Sequence, residues 1–466
     1  MIRPEQKDRM PAGNGLASLG ALALAAFLTP FMGSAVNLAL PTMARDFGLS
    51  AVGLGWVANS YLLSAAASLL PLGRLADIHG RLKFFLGGLF IFGLASFLIA
   101  LSGSFVWLIA LRILQGMGGA MIFGTGTAIL TQLFPLKRRG WALGWSVGAT
   151  YTGLSLGPTI GGFLIHLLGW RSIFILTAPL SLMALILGWQ IPKEADVKHQ
   201  APFDAIGSLL YASSLSLLIY GFSRFPMLPG LAAAGLGAAL LSVFFWVENT
   251  RPQPILDIKL FLQRPAYGYS NLAALIHYCA TAALGFLLSL YLQQAKGLTP
   301  VLAGLILAIQ PLVMALLSPF FGSLSDRLEP RRLASAGMAL SALGLLSFGL
   351  MPRHASNFYL LFGLAFVGLG FALFSSPNTN AVMSSAPPES LGVASATLAA
   401  MRLLGQMFSL GLVTMMLSLF MNKAEISAET MVKFFLAYRS ALAIFFLLCI
   451  AGIFASLARG DIRKSL

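Results

Sequence analysis

The chain has 466 residues, and its composition excludes most classes of soluble protein. Of these residues, 58% are hydrophobic and only 10% are charged, whereas about a quarter of a soluble domain is charged. A soluble enzyme, a nucleic-acid-binding domain, a disulfide-rich secreted module and a disordered chain are therefore excluded. The formal charge of +15 would suit a nucleic-acid partner, but it equally suits the loops of a membrane protein. We predict an all-α polytopic membrane protein.

A membrane-spanning helix needs about 20 predominantly apolar residues, and the chain contains fourteen such stretches. The first runs from Leu16 to Leu40 without the small-residue cleavage pattern of a signal peptide, so we interpret it as an uncleaved spanning helix. The predicted segments are 15–41, 51–72, 84–103, 106–131, 140–165, 171–190, 203–223, 228–248, 268–293, 301–323, 333–351, 357–383, 390–420 and 431–457.

The basic residues predict the orientation of these segments. An even number of spans places both termini on one side of the membrane. The loops on that side carry 20 Lys and Arg residues, and the loops on the other side carry 7. Cytoplasmic loops are enriched in Lys and Arg. We therefore predict that both termini are cytoplasmic and that topology explains the net charge.

The chain also contains an internal repeat. Gly-Arg-Leu-Ala-Asp at 73–77 recurs as Gly-Ser-Leu-Ser-Asp at 322–326, and a proline five residues before a glycine occurs at both 135–140 and 387–392. These two offsets, 249 and 252 residues, indicate a duplicated six-helix unit with two helices inserted between the copies. Paired repeats with a binding site at their interface are typical of transporters. The predicted domains are a six-helix bundle at 1–192, two inserted helices with linkers at 193–267, and a second six-helix bundle at 268–466.

Several motifs resemble those of the major facilitator superfamily, and more narrowly its fourteen-helix drug/proton antiporter family. The loop Gly73-Arg-Leu-Ala-Asp77-Ile-His-Gly80-Arg81-Leu-Lys83 is similar to the motif between helices 2 and 3. Arg112-Ile-Leu-Gln115-Gly116 resembles the helix-4 arginine motif, and the glycine-rich segment 153–162 resembles the helix-5 motif associated with antiporters. Further similar positions, spread over essentially the whole chain, are Val36, Asn37, Pro41, Trp170, Arg171, Phe174, Asp204, Gly207, Leu256, Asp257, Phe261, Pro377, Asn378 and Arg402.

The resemblance implies a major facilitator fold, with two six-helix bundles plus two additional central helices. It implies a proton-coupled antiporter in the inner membrane of a prokaryote that exports small amphiphilic molecules by alternating access, as in multidrug efflux. The sequence contains no H-E-x-x-H motif or phosphate loop, so we do not expect an enzyme. Family members usually carry an aspartate nine residues before the helix-1 proline, but Met32 stands nine residues before Pro41. On the predicted spans, all 15 acidic residues lie in loops or at helix ends.

A cavity that contains Arg112 and Arg402 but no acid repels cations. The alternative function is therefore an exporter or uniporter of lipids, siderophores or anionic or neutral metabolites, without the usual carboxylate-based proton coupling. No cofactor or metal is expected. The expected partners are a small amphiphilic substrate, protons and the lipid bilayer. No nucleic acid is expected, and the short segment 421–430 is too small for a docking domain, so no obligatory protein partner is implied.

Ionisable residues within spans are functional candidates. The resemblance implies that Arg112 lines the cavity and influences proton transfer; the alternative is a structural arginine bonded to backbone carbonyls. His277 lies about ten residues into the ninth span, near the bilayer midplane, and histidine titrates near pH 6.5, which suits a proton relay. The alternative is a hydrogen-bonded core residue. We predict proton coupling at Arg112 and His277.

Polar side chains within the spans indicate a site for neutral, zwitterionic or anionic amphiphiles. For each of the uncharged residues, interhelical hydrogen bonding is the alternative role. The predicted substrate-binding residues are Asn37, Asn59, Tyr151, His277, Gln310, Asn378, Asn380, Arg402 and Gln406.

Two regions of the sequence indicate residues that move during transport. Asp77 and Arg81 lie beside a tight glycine turn, and their charges suit a latch that closes the cytoplasmic face; the alternative is a solvated loop. Glycines at 153, 157 and 161 form one small-residue stripe next to Pro158, which suits either a pivot or static close packing. The predicted gating residues are Gly73, Asp77, Arg81, Gly157, Pro158 and, in the second repeat, Asp326.

Overall fold

The computed structural model describes residues 15–134, 136–192, 203–251, 254–256, 258–325, 327–353, 355–387, 391–422, 424–427 and 429–460. Thirteen helices in these ranges are long and apolar enough to cross a membrane, and a further 33-residue helix covers the predicted segment 140–165. All fourteen predicted segments are therefore helical. The helices are α1 Gly15–Phe47, α2 Ala51–His79, α3 Arg81–Ala100, α4 Phe105–Leu133, α5 Leu136–Leu168, α6 Arg171–Gly188, α7 Ala205–Ser223, α8 Leu228–Thr250, α9 Pro265–Ala295, α10 Pro300–Ser325, α11 Pro330–Gly349, α12 Asn357–Ser385, α13 Leu391–Met421 and α14 Met431–Ala458.

Local sequence sets where several helices begin, end and break. The Ser50 and Ser104 hydroxyls accept hydrogen bonds from the third following backbone N–H and thereby cap the free donors of α2 and α4. Gly80 separates α2 from α3 with φ of 106°, a backbone conformation that favours glycine. Helix α10 is interrupted at Ala308 because Pro311 cannot donate to the carbonyl of Leu307. This break lies beside Gln310, which faces the central cavity.

The two sets of six helices pack in the same pattern. In the first set, α1 packs against α5 and α6, α4 packs against α2 and α3, and α3 packs against α6. In the second set, α9 packs against α13 and α14, α12 packs against α10 and α11, and α11 packs against α14. The predicted duplication thus corresponds to two similarly built six-helix bundles.

The bundles meet through two equivalent helix pairs, α2 with α13 and α5 with α10. Helices α7 and α8 form a hairpin, and α7 packs against α2 and α13 at one side of this interface. The fold is therefore two six-helix bundles plus two additional central helices. A short helix, Ile258–Gln263, follows α8 and leads into α9.

The outer surface is apolar. Large side chains remain exposed around it, including Phe358 (78%), Trp246 (71%) and Trp107 (66%). Soluble proteins rarely expose large contiguous apolar patches, because water contact with such area is unfavourable. Together with the length of the helices, this surface defines a multi-pass membrane protein whose exterior lies against lipid.

Candidate functional site

A cavity of about 2560 Å³ lies between the two bundles. Helices α1 to α5 line it on one side, and α9, α10, α12 and α13 line it on the other. It reaches the end of the molecule that carries residues 74–83, which we call the basic face. Ligand pockets commonly hold about 300–1,000 Å³, so this volume accommodates a ligand together with a water-filled path to that face.

The other end of the molecule, the opposite face, is closed by contacts between the bundles. The Ser289 hydroxyl donates to the carbonyl of Asn37 at 2.6 Å, and the Gln293 amide donates to the carbonyl of Leu38 at 3.2 Å. At the α5–α10 contact, a Cβ on Gly162 would lie 2.5 Å from the carbonyl oxygen of Pro300. A Cβ on Gly304 would collide with the carbonyl oxygen of Pro158. The missing side chains therefore allow the two backbones to touch.

Six of the residues predicted to bind substrate or to couple protons lie together in the cavity wall. Three come from the first bundle and lie on α1, α4 and α5, and three come from the second and lie on α10 and α13. The structure thus combines both repeats into one polar site within a largely apolar wall. These residues are Asn37, Arg112, Tyr151, Gln310, Arg402 and Gln406.

Arg112 is almost completely buried and held from several directions. Its Nε donates to the carbonyl of Val57 at 3.1 Å, and a second nitrogen donates to Oε1 of Gln115 at 2.7 Å. The guanidinium lies 4.7 Å from the ring centroid of Tyr61, and Gln115 donates onward to Ser96 at 2.8 Å. Arg112 thus bonds to backbone, as the structural alternative expects, and it also lines the cavity.

Arg402 is less fully bonded. One of its terminal nitrogens donates to the hydroxyl of Thr379 at 2.6 Å, and the guanidinium lies 5.7 Å from the ring centroid of Tyr278. Its buried Nε has no hydrogen-bond partner among the described residues. A charged guanidinium in the cavity wall favours a bound hydrogen-bond acceptor, and an anionic one most strongly.

The charge of the cavity lining is unbalanced. The basic side chains that line it, within the described part of the chain, are Arg74, Arg81, Lys83, Arg112 and Arg402. Over the same residues, Asp77 supplies the single carboxylate, and it already bonds Arg81. Met32, which occupies the position of the family's helix-1 aspartate, is fully buried. The deep part of the cavity is therefore positive, which favours neutral and anionic ligands over cations.

His277 lies away from the cavity lining. Its ring is completely buried in the second bundle, stacked on Phe374 at a centroid distance of 4.0 Å. Nε2 lies 3.2 Å from the hydroxyl of Ser341, and Nδ1 has no hydrogen-bond partner in the described part of the chain. The neighbouring Tyr278 faces the cavity instead. Successive helical residues point about 100° apart, so these two neighbours lie on different faces of α9.

Three predicted asparagines also lie outside the lining. Asn59 donates to Thr414 across the α2–α13 interface at 3.3 Å, and Asn380 donates to Ser325 at 2.9 Å. Asn378 is buried against Arg459, whose guanidinium donates to Oδ1 of Asn378 at 3.1 Å. Burial lowers the pKa of Arg459 to about 10, so its guanidinium remains charged at neutral pH and needs these acceptors. The interhelical role considered for each asparagine is the one that the structure displays.

We expect Asn378→Ala to reduce stability without reducing ligand affinity. The substitution removes one acceptor from the buried, charged guanidinium of Arg459, which lowers the free energy of unfolding by about 1–3 kcal/mol. Thermal unfolding of the purified protein, with and without a transported compound, measures both quantities. Asn37→Ala is the matched variant in the cavity wall and should show the reverse behaviour. Equal loss of ligand stabilisation in the two variants would contradict this assignment.

The predicted gating residues lie in two places. Gly73, Asp77 and Arg81 line the cavity where it reaches the basic face, and Arg81 bonds Asp77 at 2.7 Å. A Cβ on Gly157 would collide with the hydroxyl of Ser34, so α1 and α5 pack closely inside the first bundle. Pro158 lines the cavity and contacts Gly304 of the second bundle. Asp326 lies outside the described residues.

Sequence reasoning missed several polar residues of the wall. Tyr61 and Tyr278 lie beside the two arginines, while Thr281 and Thr379 add hydroxyl groups. The signal that could have found Tyr278 and Thr281 is helical periodicity, because both share the face of α9 that carries Gly285.

The fold and the cavity define a helical transporter with its site between two repeated bundles. The chain belongs to the Major Facilitator Superfamily, because the sequence model of that family matches residues 22–261 and 271–464. It is 32% identical to the riboflavin transporter RibZ of Clostridioides difficile, over 84% of this chain and 85% of that protein. It is 31% identical to the multidrug resistance protein Stp of Mycobacterium tuberculosis, over 84% of this chain and 73% of that protein. The tetracenomycin C resistance and export protein of Streptomyces glaucescens is 30% identical, over 82% and 72%.

A solved structure has the same fold. It is a bacterial homologue of the human lysosomal transporter Spinster, in an inward-facing and unoccupied conformation, with a TM-score of 0.71 and 17% sequence identity. The match covers 97% of this chain and 98% of that one. The predicted superfamily and fold class are therefore confirmed, and the protein is a transporter rather than an enzyme.

Proposed function

We propose that this protein is a secondary active exporter of neutral or anionic amphiphiles, driven by protons, in the bacterial inner membrane. The single observation that carries the proposal is the cavity between the bundles. It opens at the basic face, and Arg112 and Arg402 line it without a deep carboxylate among the described residues. Its apolar wall suits the body of an amphiphile, and its positive interior suits a neutral or acidic head group.

The distribution of basic residues supports the direction. The basic face carries the loops that are rich in Lys and Arg, which makes it the cytoplasmic side with both termini. The cavity then opens inward, ready to accept a substrate from the cytoplasm or the inner leaflet. The named activities of two relatives, tetracenomycin C export and multidrug resistance, support export as the direction.

Alternating access requires both faces to open and close in turn. In the proposed cycle the bundles at 1–192 and 268–466 rock about their contacts, while the inserted helices at 193–267 stay beside them. Separation of Gly162 from Pro300 and of Gly304 from Pro158 opens the opposite face. On the basic face, Asp77 and Arg81 form the latch of the first repeat, and Asp326 has the corresponding role in the second repeat. Gly157 and Pro158 form the part of α5 that moves against its neighbouring helices, α1 and α10.

A second candidate function is a uniporter for the same compounds. The observation that favours it is the lack of a carboxylate deep in the cavity among the residues described there. Such a transporter would equilibrate its substrate without using a proton gradient.

Inside-out membrane vesicles with an acidic lumen test both functions. We expect them to accumulate an anionic or neutral amphiphilic fluorophore above the external concentration, and to release it when a protonophore collapses the gradient. Vesicles that lack the protein are the control. Accumulation of lipophilic cations alone would overturn the proposed substrate class. Equilibration that ignores the gradient would replace the antiporter with the uniporter.

A further inference from the structure

Two acidic side chains meet at the base of the central hairpin, outside the cavity described above. Asp204 precedes α7, and Glu248 lies near the end of α8. Glu248 is 1% exposed, and the side chain of Asp204 is 9% exposed. A buried carboxylate is unfavourable unless charge and hydrogen bonds compensate it. The bonding of each oxygen therefore indicates which acid carries a proton.

Each acid has one oxygen bonded to backbone. Oδ1 of Asp204 accepts the N–H of Gly207 at 2.9 Å, and Oε2 of Glu248 accepts the N–H of Leu256 at 3.0 Å. The other two oxygens, Oδ2 of Asp204 and Oε1 of Glu248, are buried and have no donor among the described residues. Both approach Gly207, where an added Cβ would collide with Oε1 and lie 2.7 Å from Oδ2. The two oxygens therefore face each other across the same small space beside Gly207.

Two facing carboxylates cannot both remain ionised in a buried site, so they share a proton. The surroundings favour the charge on Asp204. It caps the positive N-terminus of α7, and the Nε of Arg251 lies 3.8 Å from its Oδ2. Glu248 faces Asp204 and the amides of 255–256 in the described structure. A proton on Oε1 of Glu248 then donates to Asp204, while Oε2 still accepts from Leu256, so every oxygen is satisfied.

We propose that Asp204 and Glu248 form a proton-binding site that holds one shared proton. The site is linked to the cavity through residues 254–256. The amide of Leu256 bonds Glu248, and the preceding Pro254 and Ile255 line the cavity. Loss of the proton places two negative charges face to face, which separates Glu248 from Asp204 and frees this linker. The pair thereby supplies the titratable carboxylate that the deep cavity lacks; its role in transport rests on the proposed function, whereas proton binding does not.

Infrared spectroscopy of the purified full-length protein tests the proton site without any substrate. We expect a protonated carboxyl band at pH 7 in the wild-type protein, which Glu248→Gln removes and which the exposed-site control Glu429→Gln retains. Absence of the band from the wild-type protein would overturn the proposal, whether or not the variants fold.

A glycine substitution separates sharing from simple burial. Gly207→Ala pushes the two oxygens apart and leaves both acids in place, so we expect the band to shift or disappear. Gly235→Ala on α8 is the matched control, because no atom lies within 4 Å of its added Cβ. An unchanged band in Gly207→Ala would show that burial alone holds the proton and would overturn the shared pair.

The transport role is measured in the acidic-lumen vesicles. We expect Glu248→Gln to equilibrate the fluorophore but to lose gradient-driven accumulation down to the level reached without a gradient. If wild type and variant accumulate equally, the coupling role is overturned while the exporter remains. If neither accumulates the fluorophore, the proposed function fails, and the infrared result still decides the proton site.

Discussion

Gly304→Val is expected to hold α5 and α10 apart at the opposite face and to reduce transport on the order of fivefold or more. An added Cβ collides with the backbone oxygen of Pro158, which cannot rotate away as a side chain can. Overpacking costs about 1–3 kcal/mol. If that cost falls on only one of two conformations, the ratio of their populations changes on the order of 5- to 150-fold. The conformation with the cavity open at the basic face is destabilised, whereas each six-helix bundle keeps its own packing.

The measurement is cysteine accessibility from outside the cell. Ser289→Cys lies in the closed contact and is completely buried, so a membrane-impermeant maleimide should react with it slowly. Added to this reporter, Gly304→Val should increase the labelling rate at least fivefold. The native cysteines, Cys279 and Cys449, are buried and give a low background.

Gly148→Val on α5 is the control for this experiment, because its added Cβ meets no atom within 4 Å. It should leave both labelling and transport close to wild type. Unchanged labelling together with full transport in Gly304→Val would contradict the role of the α5–α10 contact in closing the opposite face.

Arg402→Gln is expected to weaken binding of anionic amphiphiles tenfold or more. Hydrogen bonds to a charged group contribute about 1.5–3 kcal/mol, and about 1.4 kcal/mol corresponds to a factor of ten. The substitution removes the positive charge of a side chain that lines the cavity. A neutral amphiphile should lose less than a factor of three, and a lipophilic cation should bind more tightly because repulsion is relieved.

Thermal stabilisation by each of the three ligand classes measures these affinities, since a ligand selective for the native state raises apparent stability. Arg439→Gln is the matched control. It also lies in a spanning helix of the second bundle, but its guanidinium donates to the carbonyl of Met351 outside the cavity lining. Equal losses for anions and cations in Arg402→Gln would contradict an electrostatic role.

Much of the fold was predictable from sequence because the bilayer imposes simple constraints. A helix must be apolar over about 20 residues to cross, so hydropathy identified all fourteen helices. The repeated turn at 73–77 and 322–326 revealed the duplication, because each copy must form the same junction between two helices. The helix pairs of the two bundles agree with this prediction.

The site was predicted only in part. Asn37, Gln310 and Gln406 face the cavity, whereas Asn59 and Asn378 bond to neighbouring helices instead. Nearly all polar residues within a span need a partner, and sequence does not state whether that partner is protein, water or substrate. His277 and Tyr278 are adjacent in sequence, but they face a bundle core and the cavity respectively.

The sequence by itself determined the membrane class, the fourteen helices, the repeat and the family, because these follow from composition, periodicity and local motifs. Only the tertiary structure decided which polar groups share a site. Arg402, Thr379 and Tyr278 come from three helices, and Asp204 meets Glu248 across a hairpin. Such encounters depend on the rotation and packing of whole helices, which single-chain patterns of hydrophobicity do not specify.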